Sequence, residues 1–498
     1  MTPPSSYGQM WAMRRAKQLQ QRRDEKAAKP KAKRQARSKP ELDIDPMASY
    51  EASGRQRSID WSDERTDSVS SEVARRLEHG PSKMALLSMP TGTGKTAAAV
   101  EALGKMQEES GRPLKFIVSA PRAVVGQGGW QETLAWWNES FPSNALRPWC
   151  ITTPDKLAAQ IADKSGLIEL VSALGDDGVV VMDECHGFKN PTSKRSKMMQ
   201  KVRHLRKLGL TATPLTNDPV MDGASYLILG GYYTSKSNFM SENKIDRMVG
   251  QFGELLIYDS RGRVIEGMWP LYGKFKSDLA DVIYKPSVSM ADVDMPEVTL
   301  HIEQLPHDDE LDADMRSLAK AWRMRMLDSA ADLMLASFER LTEDRQRLEK
   351  LYEVVSQGGV KQPLIFYWHV HAGDAVEAFL KEKGVDGVQR VDGGTDVGSI
   401  DLTSPAPILM QYQAGSEGIE FKGSNTTIFY EPQGSWSKLQ QAKGRNVRRG
   451  MSGSVDHWLI ISDCAIDREV NERLRMHDEV NDEMLQEIVA EALGVSLG

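Results

Sequence analysis

Apolar residues fall along this chain in short unbroken runs, and several runs end in small or charged residues. MALLSM (84–89), GVVVMDE (178–184) and LRKLGLTATP (205–214) lie in the first half, with PLIFYWHV (363–370), APILMQYQ (406–413) and TTIFYEP (426–432) in the second. Continuous apolar runs of this length, without alternation, mark strands buried on both faces of a parallel sheet. Between them stand segments of helical character: AAAVEALGKMQ (97–107) is built of good helix formers, and AVEAFLKEKG (375–384) is amphipathic. A long helical pattern fills 312–355, and a charged pattern with apolar positions at helical spacing begins at 463. Strands alternating with helices in two separate blocks predict an α/β chain of two sheet domains.

At 498 residues the chain exceeds one ordinary core, which agrees with two or three domains. Hydrophobic residues make up 40% and charged residues 27%, and no apolar run reaches the ~20 residues a membrane helix needs, so no membrane span is expected. Cys150, Cys185 and Cys464 are odd in number and far apart, which argues against a disulfide framework or a clustered cysteine zinc site. With no apolar signal region at the N-terminus, a reducing, cytoplasmic setting is expected. The net charge of −7 conceals an asymmetry: residues 1–40 hold twelve Lys and Arg against Asp24 and Glu25. The stretch KAAKPKAKRQARSKP is expected to be disordered, and it reads either as a solvated tail or as a tether for nucleic-acid phosphates.

Candidate chemistry collects where the first-half runs end. After MALLSM comes PTGTGKT and then a helix, the order strand, glycine loop, helix. In a phosphate-binding loop of this kind, glycines turn backbone N–H groups toward phosphates, a lysine reaches the outer phosphates, and the following hydroxyl holds magnesium. The residues concerned are Pro90, Thr91, Gly92, Thr93, Gly94, Lys95 and Thr96, with Met89 standing where the pattern usually has its first glycine. GVVVMDE supplies a carboxylate, Asp183, at the carboxyl end of a buried strand, the edge at which open α/β sheets bind ligands; it is the second candidate for the magnesium. Glu184 follows as a candidate to orient and deprotonate an attacking water. Cys185 reads as a small packing residue, and His186 as a contact that reports nucleotide state. Thr211, Ala212 and Thr213 end a third strand, and the two hydroxyls are placed to bond the turn from Asp183 to His186.

In their order and spacing these segments resemble the superfamily-two helicases and translocases: PTGTGKT is similar to motif I, DECH to motif II and TATP to motif III. DECHGFKNPTSKRSK and LTATPLTND look most like the Swi/Snf-type DNA translocases, and FIVSAPRAVVGQGGWQETLAWW (116–137) is similar to their motif Ia, with Trp130, Trp136 and Trp137 read as core or interface residues. The resemblance implies two tandem RecA-like P-loop domains with ATP and Mg2+ as cofactors. AGSEGIEF (414–421) resembles motif V, which gives Gly415 and Gly418 a coupling role. QAKGRNVRRG (441–450) resembles motif VI, which assigns Gln441 to orienting that motif and Arg445 and Arg448 to the γ-phosphate. The implied layout is a basic disordered tail (1–48), a first RecA-like domain (49–225), a mostly helical insertion (226–350), a second RecA-like domain (351–464) and a C-terminal bracing helix (465–498).

The expected activity is that of a nucleic-acid-dependent ATPase that couples hydrolysis to movement, with double-stranded DNA as the track. Lys189, Lys194, Arg195 and Lys197 are candidate phosphate contacts, with a solvated helix face as the alternative. Other readings are a strand-separating DNA or RNA helicase, the motor subunit of a restriction or nuclease system, and an inactive binding module. A replication, recombination or restriction protein is the expected partner class, in a bacterial or phage-infected cell.

Overall fold

The computed structural model describes residues 9–15, 46–47, 59, 61–126, 128–215, 218–243, 245, 269, 271–287, 296–306, 309–392, 395, 399–412, 421, 423–431, 436–447, 453–475 and 482–497. The chain divides into two compact units, one of residues 39–294 and one of residues 295–498 together with 1–38. Each is built around a six-stranded sheet. Among the described residues no helix is long and apolar enough to cross a membrane.

In the first unit the strands are β1 (Met84–Ser88), β2 (Phe116–Ser119), β3 (Ile151–Thr152), β4 (Val179–Asp183), β5 (Arg206–Thr211) and β6 (Ile283–Tyr284), in the order β3-β2-β4-β5-β1-β6. All pairings are parallel. The residues of β1, β2 and β4 are all buried, which is why the sequence shows runs rather than alternation. Apolar clusters cover both faces, one centred on Trp130, Leu103 and Val181, the other on Tyr226, Phe239 and Met182.

In the second unit the strands are β7 (Glu297–Leu305), β8 (Leu364–Tyr367), β9 (Gln389–Val391), β10 (Ile408–Gln411), β11 (Thr426–Phe429) and β12 (Ser454–Ser462), in the order β7-β12-β11-β8-β10-β9, again all parallel. The stretch read as a mostly helical insertion is divided between the units. Its helices Asp309–Arg323, Ala330–Thr342 and Arg345–Val355 are present, but β6 joins the first sheet and β7 the second. β7 escaped the sequence reading because its apolar residues alternate with polar ones, and Val298, Leu300 and Ile302 stay largely exposed.

Two expectations need correction. Part of the stretch read as a disordered tail is ordered: residues 9–15 are helical, Trp11 is buried with its indole N–H donating to Glu339 Oε2 at 2.5 Å, and Arg15 pairs with Asp332 at 3.2 Å. One buried tryptophan gives this short basic helix enough apolar contact to dock. The basic run of the tail lies outside the described residues. The C-terminal stretch, read as one helix, contains two described helices, Ala465–Arg475 and Asp482–Ala492, whose apolar stripes meet in one cluster. Ile466, Val470 and Leu474 are buried together with Leu485, Ile488 and Val489 in one cluster.

The first of these helices is fastened by a buried ion pair. Arg347 Nη1 lies 3.0 Å from Asp467 Oδ2, with side chains 1% and 4% exposed. Both members make further bonds: Arg347 donates to the carbonyls of Tyr430 and Ile460, and Asp467 accepts from Ser462 N at 2.8 Å. Removing one member of such a pair strands the other charge. Asp467→Ala is therefore expected to lower the unfolding free energy by about 3–5 kcal/mol, read from the urea midpoint. A loss below about 1 kcal/mol would show that the guanidinium finds solvent instead.

Candidate functional site

The site is set by strand order. β5 lies between β1 and β4, with Ser88 beside Thr211 and Asp183 beside Leu210, so the three segments that follow these strands emerge at one edge of the sheet. Met89 extends the β1 ladder, its N–H donating to Thr211 O at 3.3 Å, and its side chain, where the motif usually has glycine, is buried in the apolar cluster around Trp130.

The loop after β1 turns on Gly92 and Gly94, at φ 81° and 96°, left-handed values at which a side chain would be strained. Gly94 caps the helix Lys95–Ser110 without a side-chain hydrogen bond, so no side chain competes at the positive end of the helix dipole. Thr93 Oγ1 donates to Pro90 O at 2.7 Å and closes the loop. Lys95 Nζ is drawn back onto the carbonyls of Met89 and Pro90, both at 3.0 Å. Thr96 stands in the first turn of the helix.

Asp183 ends β4 and is buried. Its Oδ2 accepts from Trp130 Nε1 at 3.0 Å, and its Oδ1 from Glu184 N at 3.0 Å. Burial first, and then the charge of Glu184, push its pKa from the ordinary 3.8 up to about 6, against the Trp130 hydrogen bond and the charge of Lys95. Glu184 adopts φ 48°, a left-handed conformation that non-glycine residues rarely take, and its Oε2 lies 3.2 Å from His186 Nδ1. The same His186 nitrogen is 3.2 Å from Thr211 Oγ1, which also accepts from Thr213 N at 3.2 Å. The hydroxyl contact expected between the third strand and the acidic turn is thus made by Thr211. Cys185 is fully buried over Gly209, where an added Cβ would lie 2.9 Å from its sulfur, and burial raises its thiol pKa well above the ordinary value.

Trp130 is the site residue that the sequence reading missed. It belongs to the helix Gly129–Ser140, whose Trp137 packs on Gly104 of the phosphate-loop helix so closely that a Cβ there would come within 2.1 Å of the ring. One helix therefore holds both the acidic turn and the phosphate-loop helix. The signal was the spacing of Trp130 and Trp137, two turns apart and on one face.

Among the basic candidates, Lys194 and Lys197 are exposed and Lys189 is half-buried. Arg195 is engaged by Asp155, through two bonds of 2.7 and 2.8 Å. In the second unit, Gln441 lies on the helix Trp436–Lys443 and Arg445 just beyond it, both buried, and Phe421 N donates to Arg445 O at 3.1 Å. Arg448, Gly415 and Gly418 lie outside the described residues.

This motif order, carried by two sheets whose strands are all parallel, is similar to that of the superfamily-two helicases and translocases. Residues 62–216 match the family described as Type III restriction enzyme, res subunit. A Bacillus subtilis protein described as an ATP-dependent helicase/translocase, YwqA, is 20% identical over 438 residues, covering 81% of this chain and 46% of the relative. The chain thus spans about half the length of that curated relative. Among solved structures, the Sulfolobus solfataricus SWI2/SNF2 ATPase core in complex with dsDNA is similar at 17% identity and TM-score 0.34, over 87% of this chain and 96% of that one. S. cerevisiae Dbp5 bound to RNA and ADP BeF3 is similar at 13% identity and TM-score 0.44, over 85% and 93%.

Because the folded pKa of Asp183 lies above its unfolded value, the folded state holds this proton more tightly, and the group's contribution to stability falls as pH rises from 3.8 to about 6. In metal-free buffer, Asp183→Asn is expected to melt at a higher temperature than the parent at pH 8, with the gap closing toward pH 4. A gap that does not change with pH would show that burial of the charge is not its cause.

Proposed function

We propose that the chain is an ATP-dependent motor that moves along nucleic acid, with duplex DNA as its track. The observation that carries this reading is the convergence, at one sheet edge, of a left-handed glycine loop with an uncapped helix start and a buried carboxylate followed by a second carboxylate in a strained turn. In this reading Gly92, Thr93 and Gly94 direct N–H groups at the phosphates, and Lys95 exchanges its loop carbonyls for the outer phosphate oxygens. The hydroxyl of Thr96 and the carboxylate of Asp183 form a hard oxygen donor set suited to Mg2+, which when bound offsets phosphate charge. Asp183 is already deprived of water, so a cation there would relieve the cost of its ionisation.

Glu184 is assigned the orientation and deprotonation of the attacking water. His186 touches both Glu184 and Thr211, which makes it the first contact to feel a movement of that carboxylate. Gln441, Arg445 and Arg448 are assigned the roles of motif VI, orientation and neutralisation of transition-state charge, and Gly415 and Gly418 that of coupling. Lys189, Lys194, Lys197 and the basic tail are the proposed phosphate contacts along the track, while Arg195 serves the fold through Asp155. Duplex DNA is favoured by the Swi/Snf-like wording around the acidic turn, DECHGFKNPTSKRSK.

Steady-state ATP hydrolysis with no polymer, duplex DNA, single-stranded DNA or RNA tests the reading. Duplex DNA is expected to stimulate most, with displacement of a triplex-forming strand as the sign of movement. Stimulation by single strands or RNA alone would replace it with a strand-separating helicase, and no turnover under any condition would overturn it. Glu184→Gln is expected to retain binding of Mg·ATP while hydrolysis falls by about 10²–10⁴-fold; near-normal turnover would remove Glu184 from the proposed role. Replacing Lys29, Lys31, Lys33, Arg34 and Arg37 with Gln leaves the docked helix of residues 9–15 in place. It is expected to flatten the dependence of log affinity on log salt by about 0.9 for each phosphate no longer neutralised, whereas an unchanged slope would leave the tail outside the track.

A further inference from the structure

We propose that His369, His371 and Glu431 form a binding site for a divalent transition metal of the zinc class at the carboxyl edge of the second sheet. His369 and His371 follow β8, and Glu431 follows β11, the strand that pairs with β8. One donor atom from each of the three lies within 4.8 Å of the other two. Imidazole nitrogens with one carboxylate oxygen are a donor set that zinc accepts, and a three-residue set leaves a coordination position for water or another ligand.

The surroundings already orient the donors. Glu431 Oε2 accepts from the backbone N–H groups of Trp368 and His369 at 2.9 and 2.8 Å, which aims Oε1 at His369 Nδ1, 2.5 Å away. The two imidazole rings stack at 5.2 Å with 12° between their planes. His371 hydrogen-bonds the backbone of Phe338, the support through a second nitrogen that metal-bound histidines usually have. Its Nε2 is buried and has no hydrogen-bond partner among the described residues.

A plain buried His–Glu pair would account for His369 and for the backbone N–H groups of Trp368 and His369, but it gives that nitrogen nothing to do. A metal ion would take the lone pairs of both imidazoles and of Glu431 Oε1, and the proton shared between His369 and Glu431 would leave to solvent. Bound there, it would lock the end of β8 to the end of β11. The cluster of Glu78, His79 and Glu109 has a similar donor set, but His79 and Glu109 are exposed, and it serves as the control.

The test is titration of the chelator-stripped full chain with Co2+, read by its visible ligand-field bands, followed by displacement with Zn2+ and a zinc count per chain by elemental analysis after dialysis. One saturable site is expected, with affinity reduced at least about 100-fold by His371→Gln and by Glu431→Gln and unchanged by His79→Ala. The melting temperature of the metal-free His371→Gln protein is expected to match the parent, which separates loss of ligation from loss of fold. If that variant does not fold, a zinc-dependent rise in the parent's melting temperature that persists in His79→Ala supports the site. Absence of saturable binding, binding indifferent to His371→Gln, or binding abolished by His79→Ala would overturn the proposal.

Discussion

The carboxylate of Asp183 ends a strand whose residues are all buried, so its charge must be met by the protein rather than by water. The arrangement of the first unit follows from that requirement. The helix Gly129–Ser140 must lie where Trp130 reaches the carboxylate, and it can lie there because Gly104 admits Trp137 against the phosphate-loop helix. Glu184 must turn through a left-handed conformation to bring its N–H back onto Asp183, and that turn directs its own side chain toward His186. Met89 continues the ladder to Thr211, so the loop, the acidic turn and the threonine hydroxyl share one rigid edge.

The second unit meets a similar requirement in a different way. Arg347 and Asp467 are both removed from water, and each finds further partners in backbone groups, which couples the helix Arg345–Val355 to the ends of β11 and β12. In the first unit the buried carboxylate is held by the Trp130 indole and the Glu184 backbone N–H with its pKa raised, whereas in the second the charge is neutralised by an arginine within the fold. That difference separates a carboxylate suited to binding a cation from one that only holds a helix in place.

The strands that carry the candidate site were legible because burial on both faces leaves an unbroken apolar run, and the residues that follow such a run stand at the sheet edge. Asp183, Thr211 and the glycine loop were readable on that basis, as was the contact between Thr211 and the acidic turn. What escaped depends on partners distant in sequence. Trp130 meets Asp183 across 53 positions and His369 meets Glu431 across 62, and neither pairing leaves a local pattern. β6, with only two residues, is too short to register as a run. Tail composition suggested disorder throughout, yet a single buried indole outweighs the charge around it.

The docked helix of residues 9–15 has a consequence for synthesis. Its partner Glu339 stands 328 positions further along the chain. At ribosomal rates of roughly 5–20 residues per second, Trp11 emerges on the order of tens of seconds before the surface that will bury it exists. During that interval the first unit can fold while an apolar side chain on a basic segment remains unburied. The segment is synthesised early and shielded late, and its docking marks completion of the second unit.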